Sequence, residues 1–137
     1  MDRVLIVYPA FVMVILTFIT ITKMRLVLNK YLKSKTVKYG YLKVYNQPVP
    51  EELDQARQHY KNYFELPVLF YLLISFIYAT DNINQYDLML AWFFVLLKMI
   101  HSYIRIRNNY VPLRAKSFIL CIVVLFAGWL NFIVRLN

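Results

Sequence analysis

Two groups of polar residues interrupt an otherwise apolar sequence, and their spacing places each group on one side of a helix. At 100° per residue, Gln58, Lys61, Asn62 and Glu65 fall within about a 100° arc. Further along, Lys98, His101, Ser102 and Arg105 occupy a similarly narrow arc. An ionisable side chain at membrane depth costs several kcal/mol unless it faces protein or water, which makes Glu65, Lys98 and His101 candidates for function. With Arg105, Arg107 and Arg114 at the same level, the stripes describe a polar ligand site. Several cations, one carboxylate and one amide suit a small anionic zwitterion, with an apolar co-substrate entering from lipid. Two structural alternatives stand beside this reading. Glu65 can pair with Lys61 or Lys98, and His101 can be an interhelical hydrogen-bond partner.

Other chemistries find little support. His59 and His101 are the only histidines and Cys121 the only cysteine, so no metal-ligand set emerges from the spacing. No Ser-His-Asp pattern, phosphate-cradling glycine loop or nucleotide signature occurs.

The elements that must carry these residues are membrane helices. The chain has 137 residues, of which 61% are hydrophobic, above the roughly 45–50% of soluble domains. Four stretches approach the about 20 apolar residues needed to cross about 30 Å of hydrocarbon: approximately residues 4–22, 62–80, 88–104 and 118–134. The first lacks a small-residue cleavage site after Thr22 and is expected to be retained as a span rather than removed as a signal peptide. It is expected to continue as helix beyond the bilayer, because Leu26, Leu28, Tyr31 and Leu32 keep an apolar face among lysines. Residues 34–47 show no period and read as loop. Pro48-Val49-Pro50-Glu51-Glu52 is a helix-start signal. A helix from near Pro50 to near Thr80 is about 46 Å long at 1.5 Å per residue, with a bend expected at Pro67. The expected architecture is an all-α membrane protein, a four-helix transmembrane bundle forming a single domain over residues 1–137.

The formal charge of +9 is unevenly distributed. Lys23, Arg25, Lys30, Lys33, Lys35, Lys38, Lys43, Arg57 and Lys61 lie between the first two spans. Arg105, Arg107, Arg114 and Lys116 follow the third, whereas the connection from Asp81 to Asp87 holds two acids and no base. Loops richer in Lys and Arg stay in the cytoplasm, which places both termini on the non-cytoplasmic side and the polar stripes toward the cytoplasm. Membrane topology and anionic headgroups account for the charge without nucleic acid.

Three short motifs resemble the MAPEG family, membrane-associated proteins in eicosanoid and glutathione metabolism, as a bacterial-type or divergent member. They are Asn62-Tyr63-Phe64-Glu65-Leu66-Pro67, Lys98-Met99-Ile100-His101 and Val111-Pro112-Leu113-Arg114, in order and compatibly spaced. The resemblance implies a homotrimer of a multi-pass protein in the cell membrane or an endomembrane. It also implies glutathione as co-substrate, held between neighbouring subunits near the cytoplasmic side, and a lipophilic electrophile or hydroperoxide as substrate. Carried over, Asn62 and Glu65 hold the glutathione backbone, Lys98 and His101 line the pocket with Gln58, Lys61 and Arg105 nearby, and Arg114 stabilises the thiolate. A guanidinium beside a thiol of pKa about 8.5 raises its thiolate fraction at neutral pH. Three positions depart from the pattern: Gln58 stands where many members have arginine, and Arg105 and Phe118 stand where tyrosines are common. The implied function is a glutathione-dependent transferase or peroxidase. A non-catalytic scaffold or lipid-binding member, and an ion pathway through Glu65, Lys98 and His101, are the alternatives.

Overall fold

The computed structural model describes residues 2–107 and 110–136. Among them there is no strand. A short 3-10 turn, Arg3–Ile6, leads into α1 (Val7–Lys33), followed by α2 (Tyr41–Val44), α3 (Glu51–Asn62), α4 (Leu66–Ala79), α5 (Gln85–Arg107) and α6 (Val111–Val134). Four helical units are long and apolar enough to cross a membrane: Arg3–Lys33, Glu51–Ala79, Gln85–Arg107 and Val111–Val134.

The bundle is apolar outside as well as within. Phe11, Phe18, Phe93, Leu96, Ile119 and Phe126 are exposed, while Lys98, His101 and Arg105 are buried. This is the distribution expected where the surrounding solvent is hydrocarbon and charge must turn inward. The main core joins α1, α4, α5 and α6 through Met13, Phe70, Leu73, Phe94, Val124 and Leu125. Phe70 and Phe94 stack at 4.6 Å between ring centroids. Gly128 lets α6 approach α4 closely, since a Cβ there would lie 2.9 Å from Leu73 Cδ2.

A second, smaller core lies where α1 outlasts the bilayer, as its sequence anticipates. Val27 and Leu28 of α1 meet Leu53 and Ala56 of α3, with Val37 and Tyr41 folded onto them. Residues 34–47 are therefore not all loop. One helical turn, α2, buries Tyr41, whose hydroxyl accepts a hydrogen bond from Arg57 Nη1. The Arg57 guanidinium also lies over the Tyr45 ring, 4.7 Å from its centroid. Burial pushes the Tyr41 hydroxyl above its ordinary pKa, and the Arg57 charge opposes that shift. Tyr and Arg are not turn formers, so this segment lacked a local signal and is ordered by packing.

The expected continuous second helix is in fact two. α3 ends at Asn62, residues 63–65 are non-helical, and α4 begins at Leu66 with Pro67 in its first turn. Proline has no N–H to donate to the carbonyl four residues earlier and its ring crowds that carbonyl. The same residue fits a helix start well. The chain therefore restarts rather than bends, with Glu65 at φ −102° and ψ −91° as the joint.

Both chain ends meet the α4–α5 connection at one end of the bundle. Arg3 pairs with Asp81 at 3.8 Å, and Arg135 of the α6 terminus donates to Asp87 Oδ2 at 2.5 Å. Asp87 is fully buried and also accepts from Asn131 Nδ2 at 2.7 Å. The two basic residues at this end are thereby each matched by an acid, Asp81 and Asp87. The opposite, basic end carries residues 34–50 and the passage from α5 to α6. Removing a buried carboxylate leaves its partners uncompensated, at a cost of about 3–5 kcal/mol. Asp87→Ala is therefore expected to lower the thermal unfolding midpoint of detergent-solubilised protein sharply, and an unchanged midpoint would contradict the role given to this network.

Candidate functional site

Three helices surround a cavity of about 280 Å³ near the basic end. Gln58 and Asn62 come from α3, His101 and Arg105 from α5, and Arg114, Ala115 and Phe118 from the start of α6. Residues 58 and 62, and likewise 101 and 105, are one helical turn apart, so each helix presents a two-residue polar edge to the cavity. Pro112 opens α6 and fixes the first turn from which Arg114 projects. The cavity is close to the lower bound, about 300 Å³, of small-molecule pockets.

The hydrogen bonds behind this lining are specific. Ser117 Oγ donates to the Arg114 carbonyl at 2.8 Å and lies 3.0 Å from His101 Nδ1. With its one proton committed to that carbonyl, Ser117 accepts from Nδ1–H. The neutral His101 ring therefore carries its lone pair on Nε2, which is buried and lacks a hydrogen-bond partner among the described residues. Arg105 Nη2 donates to Gln58 Oε1 at 2.9 Å, and Gln58 Nε2 donates to Asp54 Oδ2 at 2.9 Å. Arg105 Nε is the other buried polar atom without a partner among the described residues. Buried polar groups are normally satisfied, so two orphans on cavity-lining residues are consistent with a ligand that supplies what the protein does not.

One layer deeper, Ser102 joins α3 to α5. Its Oγ lies 2.6 Å from the Tyr63 hydroxyl and 3.1 Å from His59 Nε2. All three residues are buried. This hub holds the end of α3, and hence Asn62, against the helix bearing His101 and Arg105.

Of the residues named from the sequence, Gln58, Asn62, His101, Arg105 and Arg114 converge on the cavity, and Lys61, Glu65, Lys98 and Arg107 do not line it. Lys61 is exposed on α3. Glu65 is exposed in the break between helices and forms no ion pair with Lys61 or Lys98 among the described residues. Its place on the polar arc assumed an unbroken helix, and the restart at Leu66 rotates it away. Lys98 is fully buried, but its Nζ donates to the Asn62 carbonyl at 3.3 Å and sits 5.1 Å from the Tyr63 ring centroid. It caps the broken helix, where a cation and a donor both complement the negative C-terminal end. Arg107 is exposed and bonds to Tyr103. Ser117 and Asp54, which the sequence reading passed over, orient His101 and Gln58. Serine three residues from a cavity-lining arginine carries no distinctive signal, and Asp54 is recognisable only because it lies one turn before Gln58.

A second polar cavity, of about 150 Å³, lies on the other side of Arg105, lined also by Lys23, Glu52, Gln55, Ala56, His59 and Ile106. Its one acid, Glu52, is already engaged by Lys30 at 2.6 Å and Tyr31 at 2.7 Å.

Leaving a buried donor or acceptor unsatisfied costs about 1–3 kcal/mol. Ser102→Ala, which strands both Tyr63 and His59, is expected to destabilise the protein by about 2 kcal/mol or more in denaturant unfolding, whereas Ser75→Ala, on the exposed face of α4, is expected to be near neutral.

The sequence profile of one known family matches residues 6–134, nearly the whole chain. No curated protein and no solved structure matches it.

Proposed function

The chain belongs to the MAPEG family, and from that premise we propose that it is a multi-pass membrane protein acting as a glutathione-dependent transferase or peroxidase on a lipophilic electrophile or hydroperoxide. Members of this family generally use glutathione and are generally trimeric; we carry both properties to this chain as part of the proposal. The observation that most supports the reading is the cavity itself. Two guanidinium groups, two amides and an imidazole line it without any carboxylate, which suits a small peptide bearing two carboxylates.

In this reading Asn62 hydrogen-bonds peptide groups, Arg105 and Arg114 receive negative charge, and His101 offers Nε2 as acceptor. Bound glutathione supplies a thiol as nucleophile or reductant. Arg114 stabilises the thiolate form, because a fixed positive charge beside a sulfur favours its deprotonated state. Phe118, with its ring 5.9 Å from that of His101, gives the cavity one apolar wall, and low polarity on that side strengthens the electrostatic interaction. The Lys and Arg distribution supports placing the cavity on the cytoplasmic side, with both termini on the other. The apolar outer face gives a lipophilic substrate its route from the bilayer.

Phe118 also favours a second reading. It brings no hydroxyl to the cavity at a position where the family often has one, as a non-catalytic member that binds lipid or serves as a scaffold would allow.

Calorimetry with glutathione on detergent-purified protein, followed by turnover of a chlorinated aromatic and a lipid hydroperoxide, tests the proposal. We expect saturable binding, and Arg114→Ala is expected to lower turnover about 100-fold, as loss of one electrostatic stabiliser typically does. No binding at millimolar glutathione would remove the proposal. Binding without turnover, indifferent to Arg114→Ala, would favour the second reading.

A further inference from the structure

The side chains of Asp54, Gln58 and Arg105 form one chain of hydrogen bonds ending at the cavity. An amide side chain can present its oxygen or its nitrogen, and Asp54 decides which. Because Gln58 Nε2 donates to Asp54 Oδ2, Oε1 is turned toward Arg105 and accepts from Nη2. Arg105 is 5% exposed, lines both cavities, and meets no carboxylate within ion-pair distance among the described residues. Its Nε has no hydrogen-bond partner among the described residues. A buried guanidinium held by one neutral amide is under-compensated, and its planar fork matches a carboxylate better than any other common group.

We propose that Arg105, aimed by Gln58, is the residue through which this site reads one carboxylate of its ligand. The proposal rests on the glutathione reading and adds to it a specificity-determining residue. It also joins two departures noted in the sequence. Gln58 and Arg105 are 2.9 Å apart, so Arg105 brings a guanidinium from α5 to the side chain at position 58, where many family members carry arginine.

The test compares glutathione with two analogues, its glycyl monoethyl ester and 4-aminobutyryl-cysteinyl-glycine, each lacking one carboxylate charge. Affinities are measured by calorimetry on the full chain in detergent, with unfolding midpoints recorded alongside. In the unaltered protein, loss of the carboxylate read by Arg105 is expected to weaken binding by about 10- to 100-fold, the range for a charge-assisted hydrogen bond. Arg105→Gln is expected to weaken glutathione by a similar factor and to bring discrimination against one analogue close to unity. Arg105→Tyr alone should behave alike, and adding Gln58→Arg to it should restore most of the discrimination. Where Arg105→Gln does not fold, Arg105→Lys carries the test, because it keeps the charge without the fork and should lose at least threefold of the discrimination. Unchanged discrimination against both analogues in these variants overturns the role of Arg105 while leaving glutathione binding intact. Absence of glutathione binding by the unaltered protein overturns the reading on which the role depends.

Discussion

A helix that stops inside hydrocarbon must find partners for its last carbonyls, because water is not there to supply them. That constraint acts at Asn62. α4 has 14 residues, about 21 Å of helix, short of the about 30 Å hydrocarbon core, so the break at residues 63–65 lies at membrane depth. Lys98 answers it from α5, with its ammonium on the Asn62 carbonyl and its stem buried in the bundle. Ser102, one turn along the same helix, holds Tyr63 and His59. The position of the α3 end follows from these contacts, and the cavity from that position.

The same constraint accounts for an arrangement in which two helices take most of the polar groups. Once α3 is broken, its polar half need not match the hydropathy of a continuous span and can carry Gln58, Asn62 and Asp54 beside one another. α5 then bears the complementary set at one-turn intervals. Positive charge gathers toward the basic end, while at the other end Arg3 and Arg135 are each met by an acid.

Hydropathy was sufficient to find four spans, since exposure to lipid leaves long apolar runs that need no tertiary information. The two interrupted runs also pointed correctly to where polar side chains enter the bundle. What pattern could not provide was the break. Pro67 is compatible with a bent helix and with a new one, and only the packing of Tyr63 and Lys98 against α5 and its neighbours distinguishes them. A position on the cavity face at residue 65 requires an unbroken helix, whereas Gln58 and Asn62, before the break, reach the cavity in either case. Lys98 looked like a ligand residue because sequence shows an ionisable group in a span but not a free carbonyl opposite it. Ser117 and Asp87 were opaque for a related reason: their significance lies wholly in long-range partners.

The tie between Arg135 and Asp87 has a mechanical consequence. α5 and α6 follow one another in the chain at the basic end, are bridged by His101 and Ser117 part-way along, and are bound again by Arg135 and Asn131 to Asp87 at the far end. A hairpin fastened at its base, middle and tip moves as one stiff plate. It carries His101, Arg105, Arg114 and Phe118 on one wall of the cavity, and α3, tied to that wall through Gln58, Ser102 and the Asn62 carbonyl, holds the cavity's shape from the other side.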